Sequence, residues 1–467
     1  MQTRKDLLQA HRLMTQRAAL ALILGQPDTA EAPMRRLNVA AFSGVMITVV
    51  VMAIFGIVGI LRPGGAKRLQ EPGTLIIEKE TGARYVWCQD PPKLCPVANY
   101  VSARLLAGQD AGKRRTVSRN SLRNFQRGPL IGIPEAPNTL PEAKHLVKTP
   151  WSACVRTVEL PTRGRTSLAT MVVGTPVGGQ SLRDDQGLVI RSAGQTWLIW
   201  KNQRLRIPEE LVPALAPNPA RVTPKWLNAL PPGPDYKAPS IPNLGQEVPG
   251  PEGGKARVGQ FYAVETGSTT TWYVQLADGL APISEIEKEL LRADPAISQK
   301  AYSGRPAQEI ALPPYVLNSM QRSSRRISKQ ELQGAPPTII PYADSTPLCV
   351  IYDDPTGERR GYVTLNGRLP DPPQSTTPFG VDQLVFPPGG AALVGSMPAP
   401  GKGSEVNSYS LVAEGRRYQL ESPEVAELLG YEISQAVPVP SAVLNLIPTG
   451  PTLDPDAASQ QLTGGPR

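Results

Sequence analysis

Histidine is almost missing from this chain: His11 and His145 are the two copies in 467 residues. A Ser-His-Asp triad or a histidine-based metal site would have to be built on one of them. His145 sits in the charged stretch PEAKHLVK, where a solvent-facing, inert side chain is expected. A phosphate-cradling loop is missing too. It needs G-x-x-x-x-G-K-[ST], because backbone N–H groups hold the phosphates while Lys and Ser/Thr serve phosphate and Mg²⁺. The stretch GSMPAPGKGS from Gly395 has five residues between its glycines, and Gly403 stands where Ser or Thr should follow Lys402. PEGGK, ending at Lys255, has Pro249 where the first glycine is required. No basic stripe with interleaved aromatics of the kind nucleic acid needs is found. The acid pairs Asp184-Asp185 and Asp353-Asp354 fall in turn-like sequence and form no glycosidase dyad. Trp197, Trp200 and Trp272 lie in strand-like runs, where aromatics are core more often than sugar platforms. No catalytic residue, metal ligand or cofactor site is expected.

What is plentiful is proline and glycine, 51 and 42, about a fifth of the chain, which calls for many short elements joined by rigid turns. A hydrophobic fraction of 40% keeps the chain out of the disordered class, and its length allows several cores. The net charge is +9, which on a membrane protein favours anionic lipid or envelope polymers as partners.

From Val39 to Leu61 the chain runs without a charge. At about 1.5 Å per residue a helix of that length spans a hydrocarbon core of roughly 30 Å. The run is longer than a signal-peptide core and starts late for one, so a retained single-pass anchor is expected. The flanking charges do not orient it: Arg35 and Arg36 precede it, and Arg62, Lys67, Arg68 and Lys79 follow. The four cysteines are more telling. Cys88 and Cys95 flank a Pro-Pro turn in YVWCQDPPKLCPV, a hairpin that can bring the sulfurs to bridging distance, which leaves Cys154 and Cys349 as a second pair. A zinc site is the competing reading, but the spacing is poor for zinc and no histidine lies near. Disulfides imply an oxidising compartment, and so a cytoplasmic N-terminus with the bulk of the chain outside.

Residues 1–38 read as a short cytoplasmic helix, with Thr3 and Asp6 as a capping pair and Leu7, His11, Met14, Ala18 and Ala21 at helical spacing. Its cations Arg4, Lys5, Arg12 and Arg17 suit a partner-facing or inner-leaflet helix, and an ordinary solvated helix is the open alternative. Beyond the anchor a unit recurs: a strand, a turn, a second strand ending near proline, then a helix. Its copies are Ala83–Leu106, Gly194–Leu215, Thr271–Leu291 and Asn407–Tyr431. VTPKWLNALPPGP at Val222 to Pro234 and VPSAVLNLIPTGP at Val439 to Pro451 close the second and fourth copies with nearly the same phrase. Each unit is too small to bury a core alone, so neighbours must stack.

The expected fold is α+β: an N-terminal helix (1–38), a transmembrane helix (39–61), and four hairpin-plus-helix repeats (62–145, 185–235, 255–305, 400–451). A central β-rich domain is split between 151–180 and 310–395, and a disordered tail takes up 452–467.

TRKDLLQAHRLMTQRAALAL, APMRR, YVSARLLAGQ at Tyr100, RGPLIGIPEAP at Arg127 to Pro137, WSAC at Trp151 and YEISQAVPVPSAVLNLIPTGPTLDP carry a resemblance over nearly the full length. The chain resembles the EccB component of actinobacterial type VII (ESX) secretion systems. The resemblance implies a structural, non-enzymatic subunit of a membrane complex with four repeats around a central domain on the outer face. It implies a disulfide matching Cys154 and Cys349, a repeat similar to a cell-wall-binding phage lysin subunit, and hence contact with peptidoglycan. The implied partners are the motor ATPase EccC, the membrane subunits EccD and EccE, and further copies of itself. The family has carried an ATPase label, which no motif here supports. A stand-alone wall anchor is the alternative function.

Overall fold

The structure is a computed structural model that describes residues 4–25, 33–61, 69–71, 73–108, 114–161, 164–327, 332, 334–373, 380–399 and 405–462. The side chains of 20, 23, 24, 33–37 and 61 are excepted. Thr3, Arg62, Lys67, Arg68, Lys402 and residues 463–467 lie outside the described residues, as do the side chains of Arg35 and Arg36. The chain divides into two compact parts, residues 1–68 with 117–124, and residues 69–116 with 125–467.

The first part holds two helices, Arg4–Leu24 and Pro33–Leu61. The second begins before the expected Val39, because the polar PMRRLN stretch is helix-compatible and proline suits a first helical position. Its apolar stretch, Asn38–Ile60, is 23 residues long with every side chain exposed. Phe42 is 70% exposed and Phe55 74%, on opposite sides of a helix that is apolar all round, which is unfavourable in water. The Thr48 hydroxyl donates to the Gly44 carbonyl at 2.8 Å, so its polarity is spent inside the helix.

The second part is built on a six-stranded sheet in the order Gln383–Val385, Gly164–Val173, Trp151–Leu160, Leu348–Tyr352, Tyr362–Leu365, Gln180–Ser181. The first two strands run parallel and all later pairs antiparallel. The strands are rich in β-branched and aromatic residues, and alternation sends Trp151, Ala153 and Val155 to one face and Cys154 to the other. Both faces are buried. The first packs with Met171, Val350 and Val363, the second with Val172, Cys349 and Ile351.

Four further sheets share one strand order, third–second–first–fourth, in which three antiparallel strands precede a helix or helical turn and a short fourth strand returns beside the first. The second runs through Gln186–Ser192, Gln195–Trp200, Gln203–Arg206 and Ala220–Arg221, with Thr338–Ile339 added alongside its first strand. The third is Phe261–Thr266, Thr269–Leu276, Gly279–Ile283 and Ile310–Ala311. The fourth is Ala392–Met397, Ser408–Ala413, Arg416–Gln419 and Val437–Pro440. In these three the fourth strand is parallel to the first. The first sheet begins Leu75–Glu78, Arg84–Gln89, Pro92–Pro96 and is followed by the helix Tyr100–Ala107. Tight hairpins fit the sequence: Lys201-Asn202 and Glu414-Gly415 both hold positive φ at their two central residues, the twist that matches antiparallel strands. Helix Glu285–Ala293 in the third sheet's unit is locked by a reciprocal cap between Ser284 and Glu287, and buries Ile286, Leu290 and Leu291.

Three expected boundaries are corrected. The fourth unit starts at Ala392, before the expected 400, because its first strand pairs directly with the hairpin strand Ser408–Ala413. The central part expected over 310–395 loses both ends: Ile310–Ala311 and helix Pro314–Ser319 belong to the third sheet, and Ala392–Met397 opens the fourth. The expected disordered tail is ordered over 452–462. Leu453 and Ala458 are fully buried, Asp454 caps helix Pro455–Ser459, and the chain pairs with Ile131 on the way out. The hydrophobic residues are sparse there, and only two are needed.

The cores pair the sheets. Val101, Leu105 and Ile133 share a core with Leu411, Tyr418, Leu420, Val425 and Leu453, so the first and fourth units pack together. Leu198, Trp200, Leu205 and Tyr236 share another with Ile286 and Leu290, joining the second and third.

Candidate functional site: closing segments, disulfides and the apolar helix

After its return strand each unit makes a helical turn and then runs back along its own third strand. The segments at Val117, Val222, Leu312 and Val439 align without a gap, with leucine at the sixth position every time: Leu122, Leu227, Leu317 and Leu444. Ten residues after each start, Arg127, Pro232, Arg322 and Thr449 make a parallel bridge to Leu94, Arg204, Leu280 and Arg417. The next residue closes it: the N–H groups of Gly128, Gly233, Ser323 and Gly450 donate to those four carbonyls at 2.9 to 3.0 Å. The sequence text alone exposes two of these copies. The first and third escape it because they lack the Asn-x-x-Pro-x-Gly-Pro phrase, although apolar residues at the first, sixth and ninth positions are there to be read.

Two of the four segments dock on the central sheet. Trp226, Leu227 and Leu230 from the second unit, and Val443, Leu444 and Ile447 from the fourth, pack with Trp151, Ala153 and Val350. The Trp226 indole N–H donates to the Ala153 carbonyl at 3.0 Å. The Tyr352 hydroxyl donates to the Ala229 carbonyl at 2.8 Å, and the Val381 N–H to the Leu446 carbonyl at 2.6 Å. Ala229 and Leu446 are the same position of the two segments, so both are held at one matching carbonyl. Burial pushes the Tyr352 hydroxyl well above the ordinary tyrosine range, which keeps it a donor. Lys225 Nζ lies 2.8 Å from Asp382 Oδ1, while Asp382 Oδ2 accepts from the Ala169 N–H at 2.9 Å. In the third unit the same segment turns inward, burying Leu312, Val316 and Leu317 on its own sheet and leaving Tyr315 71% exposed.

Cys154 and Cys349 stand directly opposite each other on adjacent central strands and are bridged, with Cα atoms 4.0 Å apart at a sequence separation of 195. Cys88 and Cys95 sit diagonally across their hairpin and are bridged at a Cα separation of 6.0 Å. With all four cysteines paired, none is left to ligate zinc. Among the described residues no group of three His, Cys, Asp or Glu is placed to hold a metal ion.

The remaining sequence candidates are dispersed. Arg4, Lys5, Arg12 and Arg17 lie on the exposed helix Arg4–Leu24, which also exposes Leu7, Leu8 and Met14. Val39 is exposed on the apolar helix and Leu61 is its last residue. Gly395 lies inside a strand paired to Tyr409, a straight backbone rather than a phosphate loop. Lys255 opens a strand paired to Pro249 and its ammonium is 3.5 Å from Glu247. Asp354 accepts the Arg359 and Thr356 N–H groups, which lowers its carboxyl below the usual range and assigns it to a turn. Trp200 is buried, and Trp197 and Trp272 are half-buried under Arg204 and Lys288. His145 is exposed at the end of a short 3-10 helix.

The family model described as "Type VII secretion system ESX-1, transport TM domain B" matches residues 1–466. The chain is similar to the "ESX-1 secretion system ATPase EccB1" of Mycolicibacterium smegmatis (strain MKD8), 26% identical over 476 residues, covering 98% of this chain and 94% of that protein. It is similar to the "ESX-2 secretion system ATPase EccB2" of Mycobacterium tuberculosis (strain ATCC 25618 / H37Rv), 28% identical over 463 residues, covering 92% and 88%. Its fold is similar to a chain of the structure titled "Structure of an intact ESX-5 inner membrane complex, Composite C3 model", with TM-score 0.63, 23% identity, and 100% and 97% of the two chains covered.

Proposed function

The chain belongs to the EccB family of type VII secretion systems, and from that premise we propose that it is a non-enzymatic structural subunit, crossing the membrane once and bracing an export complex from outside. One observation carries this reading: a chain matched end to end by the family joins an apolar 23-residue helix, exposed on every side, to a body made of docked sheets. The helix supplies the anchor. Two disulfides support a body in the oxidising compartment and a cytoplasmic N-terminus, where the cations of Arg4–Leu24 meet partner subunits. Following the resemblance, those partners are EccC, EccD and EccE, with self-association in a large complex. The outer units contact peptidoglycan.

The four sheets with their closing segments are read as four copies of one unit set around the six-stranded sheet. In support, the same bridge recurs at the same position of each copy. Two copies use the closing segment to hold the centre, which leaves the other two to form the outer flanks.

Relatives carry "ATPase" in their names. This chain is assigned no hydrolysis, since Gly395 and Lys255 lie in paired strands rather than at a loop leading into a helix.

The test is the size and composition of the tagged chain after gentle detergent extraction from its native membrane. Migration far above the 50.2 kDa of one chain, together with a P-loop motor and a polytopic membrane protein, is the expected outcome. A lone monomer or small homo-oligomer, under conditions that keep other complexes intact, refutes it and favours a stand-alone wall anchor.

A further inference from the structure

The net charge of +9 is not spread evenly. Residues 62–130 hold 13 Lys and Arg against 5 Asp and Glu, a net of +8, while the stretch from 131 onward holds 30 against 32, a net of −2. The basic part is the first sheet and the segments on either side of it, the portion of the body joined directly to the apolar helix. Only the short stretch 62–68 separates the helix from Leu69 along the chain.

The side chains of this unit match a membrane interface in kind as well as in charge. Arg127 is exposed and Lys93 half-exposed, and Arg127 bridges Leu94, the residue after Lys93. Tyr85, Trp87 and Phe125 are half-buried; the Arg127 guanidinium lies 4.4 Å from the Tyr85 ring centre, and Trp87 meets Phe125 edge-on at 5.8 Å. Leu130 is 44% exposed, one of three large hydrophobic side chains exposed outside the two N-terminal helices among the described residues. Aromatic rings and long cations with apolar stems are the side chains that settle at the level of lipid headgroups.

We propose that this unit, through Arg127, the Tyr85, Trp87 and Phe125 rings on its side of the sheet, and Lys93 on the strand that Arg127 bridges, rests on an anionic phospholipid surface. The rest of the body is mildly acidic, so the same surface repels it, and one end alone is drawn down. This rests on reading Asn38–Ile60 as a membrane span and is indifferent to which side the body is on.

The full chain is placed in nanodiscs of zwitterionic lipid and in nanodiscs containing about a third anionic phospholipid, and amide hydrogen exchange is followed for 84–96 and 125–130. Each engaged cation favours the anionic surface by roughly fivefold, falling within a Debye length. Exchange in both segments should therefore slow severalfold or more in anionic discs, and the protection should disappear at high salt. It should also disappear in the Lys93→Glu, Arg127→Glu variant. Exchange in 151–160 serves as the control that this variant is folded. Equal exchange in the two lipids, with the chain incorporated in both, overturns the proposal and turns attention to an acidic polymer or protein partner. Failure of the chain to enter either disc overturns the span reading instead.

Discussion

Replacing Trp226 by alanine tests how the body is held together. The side chain is fully buried between the second unit's closing segment and the central sheet, and its indole N–H is bonded to the Ala153 carbonyl. Removing a core aromatic of this size costs about 3–5 kcal/mol, since the cavity collapses only in part. The loss of the indole donor is included in that figure and accounts for roughly 1 kcal/mol of it. A body of several packed units does not unfold in one step, so a single melting temperature would blur the effect. Amide hydrogen exchange resolved by segment reads it directly. Strands 151–155 and 348–352 should exchange roughly a hundredfold to several thousandfold faster, the equivalent of that cost at about tenfold per 1.4 kcal/mol. Strands 261–276 of the third unit should not change, because its closing segment packs on its own sheet. Trp226→Phe keeps most of the volume and should cost about 1–2 kcal/mol. A Trp226→Ala effect under about 1 kcal/mol, or one spread equally into 261–276, would refute docking through the closing segment.

Four other measurements test the same structure. Peptide mapping without reductant should recover Cys154 linked to Cys349 and Cys88 linked to Cys95; free thiols at 154 and 349 would remove the argument for an oxidising compartment. On the loop-entropy description, losing the long-range bridge costs up to about 5 kcal/mol, which the Cys154→Ser, Cys349→Ser variant should approach. Deleting residues 452–467 should raise exchange in helix Tyr100–Ala107, since helix Pro455–Ser459 packs against it and Leu453 is fully buried; no change there would return the tail to the solvent. Reconstituted chain given Mg-ATP should release no phosphate above a blank. Hydrolysis lost in Lys255→Ala or Lys402→Ala would establish one of the imperfect loops, and hydrolysis surviving both would place a nucleotide site elsewhere.

Much was legible from local text. The hairpin-plus-helix cores at Arg84–Ala107 and Thr269–Ala293 announce themselves because strand alternation, tight turns and the Ser284 cap act within a few residues of each other. The Cys88–Cys95 bridge was readable for the same reason. The return strands were not: Ala220–Arg221 and Ile310–Ala311 are too short to carry a period, and exist only because a first strand far upstream, at Gln186–Ser192 or Phe261–Thr266, offers them an edge. The folded stretch after 452 was missed because two buried apolar residues in a polar run look like disorder unless the groove that receives them is known.

The amino-acid order alone determined the apolar run long enough to cross a membrane, the basic character of the segment after it and the repeated closing text. These depend on length, charge and spacing, which need no partner to be real. Tertiary structure decided which copies of that text hold the centre. Docking depends on whether Trp226 or Val443 meets an unfilled apolar face, and that face exists only once the strands of 151–173 and 348–365, far apart along the chain, have come together.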